Sequence, residues 1–390
     1  MIQINSNFDS GNIEIVSIKE NGDIQVKIRK DISMDFFQWF HFRLTGAMDQ
    51  PVKIQILNAG ESSYPEGWED YNACASYDRV EWFRVPTTYE NGVLTIEYTP
   101  SVDAMYFAYF APYSYEQHQD LIHTAQLSEI CQHEVIGTTV EGRDLDLLKV
   151  STGGQGKRKV WVIARQHPGE SMAEWFMQGF IYRLLDESDP VSRKVLEGAD
   201  VYMIPNMNPD GAVNGNLRAN IGGANLNREW QSPSEHRSPE VFYTIKKMDE
   251  IGVDLLLDTH GDEALPYNFV AASEGNPSYT PRIAALEAKF IKDWMTVSPD
   301  FQDKYGYDKD EPRQANMTVC TNAIADRFNC LALTIEMPFK DNADLPDEFY
   351  GWSDERSIKL GESVMHPVWM ILDQLRAESN VESTTATTSV

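Results

Sequence analysis

The chain has 390 residues, 42% of them hydrophobic, with 60 acidic side chains against 33 basic ones and a formal charge of −27. That length allows two domains and a sizeable core, and the ordinary apolar content excludes a wholly disordered chain. The negative field disfavours nucleic acid and anionic membranes as partners, and no apolar run approaches the roughly 20 residues that cross a bilayer.

The first sixteen residues, MIQINSNFDSGNIEIV, lack the basic start, long apolar run and small-residue cleavage site of an export signal, so the expected address is cytoplasmic. Cys74, Cys131, Cys320 and Cys330 are too scattered for a structural zinc site or a redox pair. They read as buried, reduced thiols.

Residues 12–30, NIEIVSIKENGDIQVKIRK, hold two alternating runs joined by Asn21-Gly22, a strong β-hairpin signal. Ile24, Val26 and Ile28 fall on one face, and Gln25, Lys27 and Arg29 on the other. Strand-like runs recur at FFQWFHFRLTG, PVKIQILNAG, EWFRVPTTYENGVLTIEYTP and AMYFAYFAP, with Gly, Pro and Asn between them. This spacing predicts an antiparallel β-sandwich over residues 1–115. Its task is expected to be that of a scaffold that packs on the next domain and shapes access to a cleft, with FFQWFHF in its core.

The pattern changes near residue 115. After a connecting helix within PYSYEQHQDLIHTAQLSEIC, apolar strands (KVWVIAR, VYMIPNM, VDLLLDTH, CLALTIEM) alternate with amphipathic helices. SMAEWFMQGFIYRLLDE is one such helix, with Ser171 as its cap; TPRIAALEAKFIKDWMT and ERSIKLGESVMHPVWMILDQLRAE are others. This alternation predicts an α/β domain with a largely parallel sheet over residues 116–376. The tail, residues 377–390, has little to bury and is expected to be disordered.

In open α/β sheets, ligands gather at the carboxyl ends of the strands. VWVIARQ delivers His167 and Glu170, VDLLLDT delivers His260, and CLALTI delivers Glu336. Two imidazoles and one carboxylate suit a catalytic zinc site with a fourth position open to water. The Pro168-Gly169 turn accounts for an i, i+3 pair converging on one ion without a helix, if Gly169 takes angles that other residues resist. Glu336 is then free to act as general base. Arg218, Asn227 and Arg228 sit in the Gly- and Asn-rich stretch NGNLRANIGGANLNREW, and guanidinium groups bind carboxylates and stabilise oxyanions. Hydrolysis beside a free carboxylate follows, which describes a carboxypeptidase. His41, His118, His123, His133, His236 and His366 lack comparable partners and read as structural or surface residues.

The ordered set HPGE, NMNPDGA, NGNLRAN, NLNR, DTHGDE and TIEMPF resembles the zinc metallocarboxypeptidases of peptidase family M14, in the bacterial form of the cytosolic carboxypeptidase-like branch. The resemblance runs from about residue 120 to 375, and that branch also carries an N-terminal β-sandwich. It implies an α/β/α sandwich around a mixed, mostly parallel sheet, with one zinc ion held by His167, Glu170 and His260. It further implies Glu336 as general base, Arg218 as the group that polarises the scissile carbonyl, and Asn227 and Arg228 as the grip on the substrate's terminal carboxylate. The stretch GDEALPYNF after the third ligand departs from the glutamate-trimming eukaryotic members. Tyr305 and Tyr307 are candidates for the family's pocket tyrosine, and Arg313 is a candidate for receiving an acidic side chain.

The leading expectation is a zinc exopeptidase acting on the C-termini of peptides or proteins. The alternatives are an amidohydrolase for a small N-acyl amino acid or cell-wall peptide, and a peptide-binding module that has lost its chemistry.

Overall fold

The computed structural model describes residues 1–376. The tail 377–390, expected to be disordered, lies outside the described residues.

Two five-stranded sheets come first. One runs Gln3–Asn5, His41–Thr45, Ala104–Ala108, Ala73–Ser76, Phe83–Val85; the other runs Glu14–Ile18, Asp23–Lys27, Val52–Ile56, Val93–Tyr98, Thr87–Glu90. The Asn21-Gly22 hairpin forms as expected, with Ile15 opposite Val26, Ile18 opposite Ile24 and Gly22 at φ 92°. One pair departs from the antiparallel expectation: Asp23–Lys27 lies parallel to Val52–Ile56. The intervening chain crosses to the other sheet through His41–Thr45 before it returns, so the second strand enters from the same end as the first. Alternation then does the packing. Ile24, Val26, Ile54, Ile56, Leu94 and Ile96 are fully buried in one core with Phe40, Phe42 and Phe107.

From residue 131 a seven-stranded mixed sheet follows, in the order Cys131–Thr138, Asp144–Val150, Ala199–Ile204, Arg158–Ala164, Leu255–Asp262, Leu331–Pro338, Phe269–Ala271. The four strands from Ala199–Ile204 to Leu331–Pro338 are mutually parallel, and antiparallel strands close both edges. Successive residues of Arg158–Ala164 feed opposite cores. Val160, Val162 and Ala164 join the helices Met172–Leu184 and Pro281–Val297 on one face. Trp161 and Ile163 join Pro239–Ile251 and Cys320–Phe328 on the other. Such two-sided burial explains why these strands read as continuous apolar runs.

Helix Met172–Leu184 crosses Asp354–Ser363 with the two backbones in contact. A methyl group on Gly179 would stand 2.1 Å from the Ile358 carbonyl oxygen, and one on Gly361 would stand 2.0 Å from that of Phe176. Only glycine admits such an approach. The sandwich packs on the α/β region through Arg84, which donates to the Phe339 and Trp352 carbonyls at 2.8 Å each. Residues 10–32 form a second docking line along the end of helix Pro209–Asn214 and the loop after it, with Ser10 N–H to Val213 O (2.9 Å), Asn12 Nδ2 to Gly215 O (2.8 Å) and Ile32 N–H to Asn216 Oδ1 (3.0 Å). Among the described residues no helix is long and apolar enough to cross a membrane, and all four cysteines are buried and free.

Candidate metal centre and cleft

The turn after strand Arg158–Ala164 brings the first two candidate ligands together. Arg165, buried at φ 59°, reverses the chain; its Nε donates to the Pro168 carbonyl at 3.0 Å and one terminal nitrogen donates to Glu174 Oε2 at 2.6 Å. Gly169 does not adopt the left-handed angles expected of it. Its smallness is used for contact instead, since a methyl group there would lie 2.9 Å from the Leu217 carbonyl oxygen, which accepts the Gly169 N–H. Ser171 departs from expectation too: its hydroxyl donates to the Ala111 carbonyl and caps nothing.

His260 arrives from the adjacent parallel strand. Glu170 lies between the two imidazoles, with Oε1 2.6 Å from His167 Nδ1 and Oε2 2.8 Å from His260 Nδ1. One donor atom from each of the three residues falls within 4.8 Å of the others. The outward ring nitrogens are held as well, His167 Nε2 3.0 Å from Asn225 Oδ1 and His260 Nε2 3.1 Å from Asp258 Oδ2. Orienting partners on the far nitrogens and a buried N,N,O donor set facing inward fit a single zinc ion.

Glu336 is the register partner of His260 on the next strand. It is buried, and among the described residues its Oε2 has no hydrogen-bond partner. Burial pushes its carboxyl well above the usual range, with Glu170 reinforcing and His260 opposing. Burial also pushes His167 down to about 4, helped by the nearby Arg218 charge. Glu170 is held low by the two imidazoles despite its burial.

These residues open on a cavity of about 1260 Å³ that is also lined by Arg218, Asn227 and Arg228. Asn227 is fixed by accepting the Cys320 N–H at 2.8 Å, whereas Arg228 is exposed and, among the described residues, tethered only to the Asn227 carbonyl at 2.7 Å. Of the two candidate tyrosines, Tyr305 stacks on Tyr267 with centroids 4.3 Å apart, and Tyr307 donates to Asp262 Oδ2 at 2.6 Å. Both line the cavity, and Arg313 is absent from the lining. The sequence reading missed Asp258, although its position two residues before His260 on one strand puts both on the same face. It also missed Tyr64 and Glu66, which reach the cavity from the sandwich. No local pattern marks them.

Residues 118–352 match the family model for zinc carboxypeptidase, and residues 4–110 match that for the cytosolic carboxypeptidase N-terminal domain. A metallo-carboxypeptidase from Burkholderia cenocepacia is 46% identical and superposes with a TM-score of 0.94, covering 96% of this chain and 100% of that one. A metallo-carboxypeptidase from Pseudomonas aeruginosa, solved with (2-guanidinoethylmercapto)succinic acid, is 45% identical with the same TM-score of 0.94 and the same coverage of 96% and 100%. Cytosolic carboxypeptidase 1 from Homo sapiens is 25% identical over 289 residues, 62% of this chain but 23% of the length of that protein. With both family models matched in order over a fold shared with metallo-carboxypeptidases, the chain belongs to the zinc carboxypeptidase family, M14.

Proposed function

We propose that this chain removes the C-terminal residue from peptides or proteins, with one zinc ion held by His167, Glu170 and His260. The observation that carries this reading is the inward convergence of those three side chains beside Glu336, whose Oε2 is uncommitted. Zinc bound there would supply a Lewis acid that makes water nucleophilic at neutral pH. Glu336 takes the proton of the attacking water and returns it to the leaving amine. Arg218 faces the carbonyl oxygen as charge develops on it. Asn227 and Arg228 bind the terminal carboxylate, which confines cleavage to the last peptide bond.

The proposal includes a cytoplasmic address, in line with the name of the animal relatives, and a boundary between the two domains near residue 115. A preference for acidic side chains is its finer part. Lys309 supports it rather than Arg313, because Lys309 lines the cavity. Its pairing with Glu274 at 2.8 Å and Glu287 at 3.7 Å keeps the expected preference modest. The cavity, at about 1260 Å³, exceeds what a small N-acyl amino acid fills and favours the peptide reading.

The test compares peptides that end in a free carboxylate with their C-terminal amides, using zinc-loaded protein. Release of the last residue from the free acids alone supports the proposal. Equal cleavage of both, or of internal bonds, contradicts it.

A further inference from the structure

Asp31 belongs to the β-sandwich, yet its buried carboxylate accepts three consecutive backbone N–H groups of the α/β region: Leu217 to Oδ1 at 2.5 Å, and Arg218 and Ala219 to Oδ2 at 2.8 and 2.9 Å. Burial pushes this carboxyl up to about 6, while those three bonds pull the other way by favouring its charged form. Charge-assisted bonds of this kind are about twice as strong as neutral ones, and three of them fix the arc of the segment. The other contacts that residues 10–32 make with this loop, at Val213, Gly215 and Asn216, stop short of the arginine.

The Arg218 side chain leaves that arc between two more residues of the sandwich. Its guanidinium carbon lies 5.8 Å from the Phe36 ring centroid and 5.5 Å from that of Tyr64. Aromatic faces hold a guanidinium without occupying its N–H groups. Among the described residues those groups take no hydrogen-bond partner, so they remain available to a substrate oxygen. The same segment touches the metal turn, because the Leu217 carbonyl accepts the Gly169 N–H at 2.9 Å and Gly169 stands between His167 and Glu170.

We infer that the sandwich is a working part of the active site: Asp31 is a positioning residue that sets the Arg218 guanidinium for the scissile carbonyl, with Phe36 and Tyr64 as its aromatic rests. This takes the task of Arg218 from the carboxypeptidase reading above. It goes beyond a scaffold role, since a scaffold holds the fold and would not select one catalytic group.

The test uses the full zinc-loaded chain and compares wild type, Asp31→Asn, Phe36→Leu, Arg218→Ala and the two double variants with Arg218→Ala. Hydrogen exchange at the amides of residues 217–219 is measured alongside kcat and KM on a peptide that the wild type cleaves. Asp31→Asn is expected to keep its zinc, to speed exchange at the three amides, and to lose about 10- to 100-fold in kcat with KM little changed. In the Arg218→Ala background it should cost no further kcat, because the group it positions is already gone. Phe36→Leu leaves the Asp31 bonds in place and should lose about two- to fivefold in kcat with the same non-additivity; it decides the matter if Asp31→Asn does not fold. Equal losses with and without Arg218, or an unchanged kcat beside faster exchange, would overturn the inference. Wild-type protein that holds zinc and cleaves no peptide overturns the carboxypeptidase reading instead, and the exchange measurement then reports on the Asp31 clamp alone.

Discussion

His260 and Glu336 are register partners on neighbouring parallel strands, so the third proposed ligand and the proposed base are set side by side by the sheet itself. Asp258, two residues before His260, adds a carboxylate at 3.1 Å on the outward ring nitrogen. Ligand-orienting partners of this kind typically contribute 10- to 100-fold to metal affinity or activity. Asp258→Asn should therefore weaken zinc binding by about that factor, whereas Glu336→Gln should bind zinc as wild type does. Competition with a chelator of known affinity measures both.

The two arginines should separate kinetically. In the proposed mechanism Arg218 meets charge that appears only as the reaction proceeds, so Arg218→Ala should lower kcat by roughly 100- to 1000-fold. Arg228 is exposed, and in the proposed mechanism it meets a carboxylate already charged in the ground state, so Arg228→Ala should act mainly by raising KM. Steady-state kinetics on one peptide resolve the two. A matching loss of kcat in both variants would count against the assigned roles.

His118 gives the molecule a pH-dependent anchor. It is buried with Nδ1 2.7 Å from Glu174 Oε1 and Nε2 3.1 Å from Asp146 Oδ2. Burial alone would lower its pKa, but the Glu174 charge, with the bonds to both carboxylates, raises it from 6.5 to about 9. A group raised in the folded state contributes its full stabilisation below the unfolded value, near 6.5, and loses it as pH rises through about 9. The term amounts to about 3 kcal/mol at most. The melting temperature of the wild type should fall between pH 7 and 10, and that of His118→Gln should start lower and fall less. Parallel melting curves would refute the account.

The glycine crossing of helices Met172–Leu184 and Asp354–Ser363 should tolerate no side chain. Gly179→Ala forces a methyl group against the Ile358 carbonyl and is expected to cost about 1–3 kcal/mol or more. Chemical denaturation reads this directly. A stabilised Gly179→Ala, as helix propensity alone would predict, would show that the helices move apart freely.

The site residues with visible sequence signals are those at or near the carboxyl ends of the parallel strands. His167 and Glu170 follow the end of Arg158–Ala164, His260 and Glu336 lie two residues before the ends of Leu255–Asp262 and Leu331–Pro338, and the alternation of strand and helix tells which ends share an edge of the sheet. The details that sequence does not disclose are those decided by contact between distant segments. Gly169 is small because Leu217 lies against it, and its conformation is ordinary. The strand Asp23–Lys27 pairs in parallel because the chain visits the opposite sheet first. Asp31 bonds to backbone N–H groups about 186 residues away, and backbone partners leave no trace in residue identity. Arg313, in a polar loop, looked suited to an acidic side chain, yet it lies outside the cavity lining.

The most direct test of the central claim is amino-acid release from a panel of C-terminally varied peptides, by wild type and by Glu336→Gln, each carrying one zinc per chain. The account predicts release of single C-terminal residues by the wild type and its near-complete loss in the variant, with zinc content unchanged. Undiminished release by Glu336→Gln, or zinc-loaded wild type that releases nothing from any peptide, would contradict it.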